Sequence, residues 1–203
     1  HSVHTALLEL LLLRFDECRR TLVIGDRKET ITPSDVALIF GLNYSGPDVP
    51  CSEVGPHLVE HFGFLGGAST KTLTLMDLEK LLFEEELSAE KFKTCSTLYL
   101  VGHFISPTAS VRVQRGYVCT MEDINSLRQL NWAKLLLDRL CYAVTEWRSG
   151  EVCYVHGCIA FLEVSNGRIE GSPWSLPVIF SCILVTNGQI LLPITCFHRV
   201  KFL

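Results

Sequence analysis

Residues 120–164, TMEDINSLRQLNWAKLLLDRLCYAVTEWRSGEVCYVHGCIAFLEV, form the longest stretch in which the order of apolar and polar side chains dictates a conformation. Leu130, Ala133, Leu137, Leu140, Cys141, Val144 and Trp147 recur at steps of three and four, while Asn131, Lys134, Asp138 and Thr145 hold the opposite side. This spacing predicts an amphipathic helix with a wide apolar face. Thr120 followed by Asp123 is a capping-box variant: the hydroxyl accepts from a first-turn amide and the carboxylate reaches back, so the helix is expected to start there. Ser149 and Gly150 break the pattern. Residues 151–164 then carry only Glu151, His156 and Glu163 as charged or imidazole groups, and such a run must be buried on nearly all sides. Its length favours a helix over a strand, which would make a buried central helix pair.

The rest of the chain reads as shorter helices and small hairpins. Residues 3–15 are predicted to be an amphipathic helix, and residues 21–24 and 29–31 flank Gly25-Asp26-Arg27-Lys28 as a hairpin. Thr32, Pro33 and Asp35 start a helix, which Gly41 can end in a left-handed conformation. Residues 42–52 are a Pro- and Gly-containing loop, 57–62 a short helix and 63–69 a loop again. Thr74 and Asp77 cap a helix over 75–86 that buries Leu75, Leu78, Leu81 and Leu82. Glu84, Glu85 and Glu86 oppose its dipole and read as solvated surface. Ser88 caps the next helix, with Phe92, Cys95, Leu98 and Tyr99 inward and a stop at Ser106-Pro107; residues 110–115 alternate as a short strand. The expected fold is mainly α, an α+β chain with small β-hairpins, in one helical domain over residues 1–167. Residues 168–203 are a divergent hydrophobic tail. There Asn187-Gly188 between apolar runs signals a hairpin, and a gene-model artefact is the competing reading.

Composition removes several function classes. A chain of 203 residues that is 48% hydrophobic can build a sizeable core. Its net charge of -4 argues against a general nucleic-acid binder, although Arg14, Arg19, Arg20, Arg27 and Lys28 make a local basic patch. Nine cysteines without regular spacing do not form a disulfide framework; Cys95, Cys141 and Cys158 sit among apolar residues as buried hydrophobes would, in a reducing compartment. The Leu-rich start contains Glu9 and lacks a cleavage site, and the apolar run at 176–185 is too short for a bilayer, which takes about 20 residues. No membrane span is expected.

The sharpest enzyme signal is His57-Leu-Val-Glu60-His61, an H-x-x-E-H pattern in which two histidines one turn apart bind zinc and the glutamate acts as base. Against a zinc hydrolase, Pro56 and Gly63 leave barely a turn and a half of helix, and no acidic helix follows to supply a third ligand. Cys153, His156 and Cys158 are metal-ligand types, but on a helix Cys158 points away from the other two and no C-x-x-C completes the set. Residues 66–72, GGASTKT, lack the glycine before Lys71 and the preceding strand that a phosphate loop needs. No catalytic residue, cofactor or metal is assigned, and the chain is not expected to be an enzyme.

One resemblance supplies functional content. RFDECRRTLVIGDRKETITPSDVALIFGL, residues 14–42, resembles the opening signature of the plant mobile domain, also catalogued as aminotransferase-like, and of its transposon-derived relatives. Its marks are an Arg14-Phe15-Asp16 start, a hairpin, and a Thr32-Pro33-x-Asp35-Val36 helix ending in Gly41-Leu42. LYLVGHFISPT at 98–108, Leu130-Asn131-Trp132 and YVHGCIAFLEV at 154–164 are similar to the family's second block. The two blocks span roughly residues 7–164 in the family's order, with a variable middle between Asn43 and Ser88; the tail after Val164 departs from the pattern. The resemblance implies a mostly helical interaction or scaffold domain of a transposon-derived, nuclear plant protein linked to transposon biology or silencing, with protein partners. In some relatives the domain precedes a SUMO-protease-like or phosphatase domain, so the alternative implied is the leading part of a transposon-encoded cysteine protease. The aminotransferase label carries no chemistry over, because neither a Schiff-base lysine nor its acidic partner is identifiable.

Overall fold

Helix α1, Thr5–Arg14, turns Leu8, Leu11 and Leu12 into the interior and leaves Leu10 and Leu13 exposed, the three- and four-residue steps of one helical face. It opens a computed structural model that describes residues 5–52, 63, 73–84, 86–108, 112–152, 155, 157–159, 161–162, 165, 185–186 and 189–190. The chain divides into two compact units, residues 1–42 with 137–203 and residues 43–136. The architecture is helix-dominated α+β, with small antiparallel strand pairs.

In the first unit α1 leads into a three-stranded antiparallel sheet, β1 (Phe15–Asp16), β2 (Thr21–Ile24) and β3 (Arg27–Thr30), in that spatial order. Ile24 pairs with Arg27, so the turn is Gly25-Asp26 alone and Arg27-Lys28 belong to the strand rather than to a four-residue loop. Gly25 at φ 57 in the first turn position allows the tight connection that matches strand twist. Helix α2, Pro33–Phe40, starts as its sequence predicts. The Asp35 carboxylate accepts from the Thr32 amide at 2.9 Å and hydroxyl at 2.6 Å, and Gly41, at φ 66, donates to Ala37 O. Val36, Ile39 and Phe40 are buried, and the Phe40 and Phe161 rings meet at 5.9 Å.

The second unit pairs β4 (Leu73–Thr74) with β5 (Arg112–Val113). Thr74 and Asp77 close a reciprocal capping box for α3, Leu75–Leu82, which stops at Phe83 ahead of exposed Glu84 and Glu86. The expected extension to residue 86 fails because acidic side chains at a helix C-terminus face its negative end. Only Leu75 and Leu78 of the four predicted leucines are buried; Leu81 and Leu82 are half-exposed. Helix α4, Ala89–Leu100, is capped by Ser88 Oγ accepting from Lys91 N and continues as a π-helix over Val101–Ile105, where Ser106 N reaches Val101 O. The wider turn carries Gly102 onto the strand pair: a Cβ there would lie 2.6 Å from Val113 Cγ2 and 3.0 Å from Leu75 Cδ2. Cys95 and Leu98 are buried as expected, but Phe92 and Tyr99 are half-exposed while Thr94 and Ser96 go inside.

Two corrections concern the central stretch. No α-helix begins at Thr120. Residues Arg115–Asp123 and Ser126–Gln129 wind as 3-10 helices, and the Thr120 hydroxyl donates to Pro50 O at 2.8 Å instead of capping. Helix α5 runs Trp132–Ser149, and its cap is Asn131, whose Oδ1 accepts from Lys134 N; Asn131 is therefore buried, not on an outer face. The second correction is the helix expected from residue 152. Val152, Val155 and residues 157–159 are non-helical, and helical conformation returns at residues 161–162. Burial was read rightly there, since Val155, Cys158, Phe161 and Leu162 are inside. Gly157 packs on α5 in this segment, where a Cβ would meet Ala143 Cβ and Leu140 Cα at 3.4 Å, an ordinary contact. In the tail Val185–Thr186 pairs with Gln189–Ile190 across Asn187-Gly188.

Leu137, with no exposed surface, tests the core. Leu137→Ala is expected to cost about 2–5 kcal/mol in urea unfolding, and Leu137→Asp to abolish the native far-UV CD signal by stranding a charge in the interior. A folded Leu137→Asp chain would contradict this placement.

Candidate functional site

One polar cluster lies where the Arg14-Phe15-Asp16 motif meets α5. Within the first unit, Arg148 Nη2 donates to Leu12 O at 2.9 Å, Phe15 O at 2.7 Å and Leu13 O at 3.4 Å, while its Nη1 pairs with Glu17. These carbonyls belong to the last turn of α1 and the residue beyond it, which have no intrahelical partners, so one guanidinium caps the helix. Its planar donor fork also suits several acceptors at once. Arg20, held at φ 51, pairs through Nη2 with Asp138 Oδ1 at 2.7 Å. Asp16 accepts from Arg19 N at 2.9 Å and faces its guanidinium at 3.5 Å. Together these bonds fix the tight turn between β1 and β2.

A second polar knot in the other unit is built by two asparagines. Asn131 donates from Nδ2 to Tyr44 O and from its amide to Pro47 O, both at 2.9 Å. Asn43 donates from Nδ2 to Ser45 O at 2.8 Å and Leu130 O at 3.0 Å, and its own carbonyl accepts from Ala133 N. Trp132 is buried with its indole N–H on Leu127 O at 2.7 Å. The loop is threaded so closely that a Cβ on Gly46, at φ 89, would lie 2.0 Å from Gln129 O. The Leu130-Asn131-Trp132 motif thus holds backbone to backbone.

His57, Glu60, His61, Cys153 and His156 lie outside the described residues, as does Lys71. Among the described residues no three of His, Cys, Asp and Glu are grouped to hold a metal ion. Burial pushes the thiols of Cys95 and Cys141 up to about 11 and that of Cys158 up to about 12, which makes them poor nucleophiles at neutral pH. Of the basic patch, Arg14, Arg19, Arg27 and Lys28 are exposed, but Arg19 and Arg20 share their charge with Asp16 and Asp138. Periodicity missed the buried hydroxyls of Thr94 and Ser96, the capping role of Asn131 and the Arg148–Glu17 pair, whose partners are 131 residues apart.

His103, on the π-helix, stacks on Tyr99 at 5.4 Å and 6°. Burial lowers its pKa, an effect that Glu79 partly offsets. A lowered folded pKa means that the unfolded chain binds the proton more readily, so this contribution to stability is complete above the ordinary histidine value of 6.5 and shrinks as pH falls below it. His103→Gln is expected to flatten the melting temperature against pH across that window. Arg148→Ala is expected to lose about 2–3 kcal/mol through charged hydrogen bonds and orphaned carbonyls, with Arg148→Lys recovering only part of it in urea unfolding.

No curated protein and no solved structure matches the chain. Residues 1–163 match the family described as a domain of unknown function, DUF8566, and the chain belongs to that family.

Proposed function

We propose that the chain is a non-catalytic interaction or scaffold module of a transposon-derived nuclear protein, as its resemblance to the plant mobile domain implies. The observation that carries this reading is where the motif residues go. Asp16, Thr32, Asp35, Asn131 and Trp132 spend their polar groups on caps, turns and backbone carbonyls, and Arg20 on the Asp138 carboxylate. A motif used in that way defines a scaffold rather than a reaction centre. Exposed apolar side chains remain for partners: Leu10, Leu13, Leu38 and Tyr142 in the first unit, Tyr44, Met76 and Phe83 in the second.

Two outcomes would overturn the reading. A stoichiometric zinc in the purified protein, lost in His57→Ala, would make the H-x-x-E-H segment a metal site and favour a hydrolase. Steeply salt-dependent DNA binding, abolished by neutralising Arg14, Arg27 and Lys28, would make the basic patch a nucleic-acid interface. The expected results are no stoichiometric metal and no binding to duplex DNA at low salt. A fluorescent fusion of the full open reading frame is expected in the nucleus.

A further inference from the structure

We propose that Cys51 and Cys119 form a paired thiol site that a small-molecule disulfide oxidises to an intrachain bridge. Both sulfurs lie against Gly116. A Cβ on Gly116 would sit 2.6 Å from Cys51 Sγ, so that thiol occupies space only a glycine leaves. Cys119 Sγ lies 2.7 Å from Gly116 O and 3.8 Å from Pro50 O. The Pro50 carbonyl leads directly into the Cys51 backbone, and standard bond lengths place Cys119 Sγ within about 7 Å of Cys51 Cα.

The two segments are already fastened side by side. Ser52 N donates to Gly116 O at 3.3 Å, and the buried Thr120 hydroxyl donates to Pro50 O at 2.8 Å. These backbone anchors keep the two thiols on either side of Gly116 while they approach to bonding distance. Access differs between the partners: Cys51 is exposed, whereas Cys119 is half-buried with its thiol turned to a carbonyl. That asymmetry sets the order of exchange. The Cys51 thiolate attacks the small disulfide, forming a mixed disulfide and releasing one small thiol, which takes the Cys51 proton. The Cys119 thiolate then attacks Cys51 Sγ, forming the protein bridge and releasing the second small thiol with the other proton. Two protein thiols are oxidised and one disulfide is reduced to two thiols.

The test uses the full chain, reduced, freed of reductant and incubated with oxidised glutathione, then quenched in acid and mapped as peptides without reduction. The wild-type chain is expected to give a Cys51–Cys119 linked peptide as its main product, with a Tm that rises on oxidation and returns on reduction. Cys119→Ser should instead accumulate glutathione on Cys51, and Cys51→Ser should leave Cys119 reduced over the same time. The proposal fails if the wild-type chain stops at the mixed disulfide as Cys119→Ser does. It also fails if Cys51 stays unmodified, if Cys51 links preferentially to another cysteine such as exposed Cys18, or if Cys119 reacts as fast without Cys51 as with it.

Discussion

A helix leaves its final carbonyls without partners, and where it ends inside a protein something else must supply the donors. In the first unit Arg148 does this for α1 from 133 residues beyond Phe15. Without that contact the Leu12, Leu13 and Phe15 carbonyls lose their side-chain donor at the point where α1 passes into β1. The ion pair with Glu17 steers the guanidinium, and the carbonyls hold it. A half-exposed charge pair by itself adds little to stability; its value here lies in the backbone groups it brings under one side chain.

The second unit solves the same difficulty with amides. A loop carrying Gly46, Pro47 and Pro50 cannot form a regular ladder, yet its carbonyls at Tyr44, Pro47 and Pro50 accept from Asn131 and Thr120. Asn131 both caps α5 and anchors the loop, so the start of that helix and the path of the loop are one event. The π turn after α4 follows similar logic. A widened turn costs helical hydrogen-bond geometry, and here it brings Gly102 onto Leu75 and Val113. Thr94 and Ser96 lie buried in the preceding helix with hydroxyls that find no hydrogen-bond partner among the described residues.

Local signals were legible in proportion to how local their partners are. Thr32 with Asp35, Thr74 with Asp77, and Ser88 could be read directly, because cap and capped amide are three residues apart and neither needs the rest of the fold. Thr120 with Asp123 has the same spelling and failed, since Pro50 O, 70 residues away, takes the hydroxyl. Periodicity found buried Ala133, Leu137, Leu140 and Val144 of α5 but also named half-buried Cys141 and Trp147, passed over buried Leu136 and Ala143, and missed the cap, where Asn131 resembles one more polar position. In residues 152–162 hydrophobicity announced the burial of Val155, Cys158, Phe161 and Leu162, yet burial does not choose a conformation. Of the candidate chemistry, the spacing of His57, Glu60 and His61 was plain to read. Arg148 and Asp138 were invisible as partners of residues 12–20, because no rule of spacing connects them.

Among the described residues strand β3 has one hydrogen-bonded neighbour in its sheet, and it exposes all four of its residues, Arg27, Lys28, Glu29 and Thr30. An open edge of this kind is a template onto which a foreign strand can pair, the first step in fibre growth. Three consecutive charged side chains make that edge costly to dehydrate, and a two-residue turn keeps it only four residues long. The hairpin that first suggested a surface for binding is thus equally suited to refusing unwanted company, and its charges are explained by solubility before any ligand is invoked.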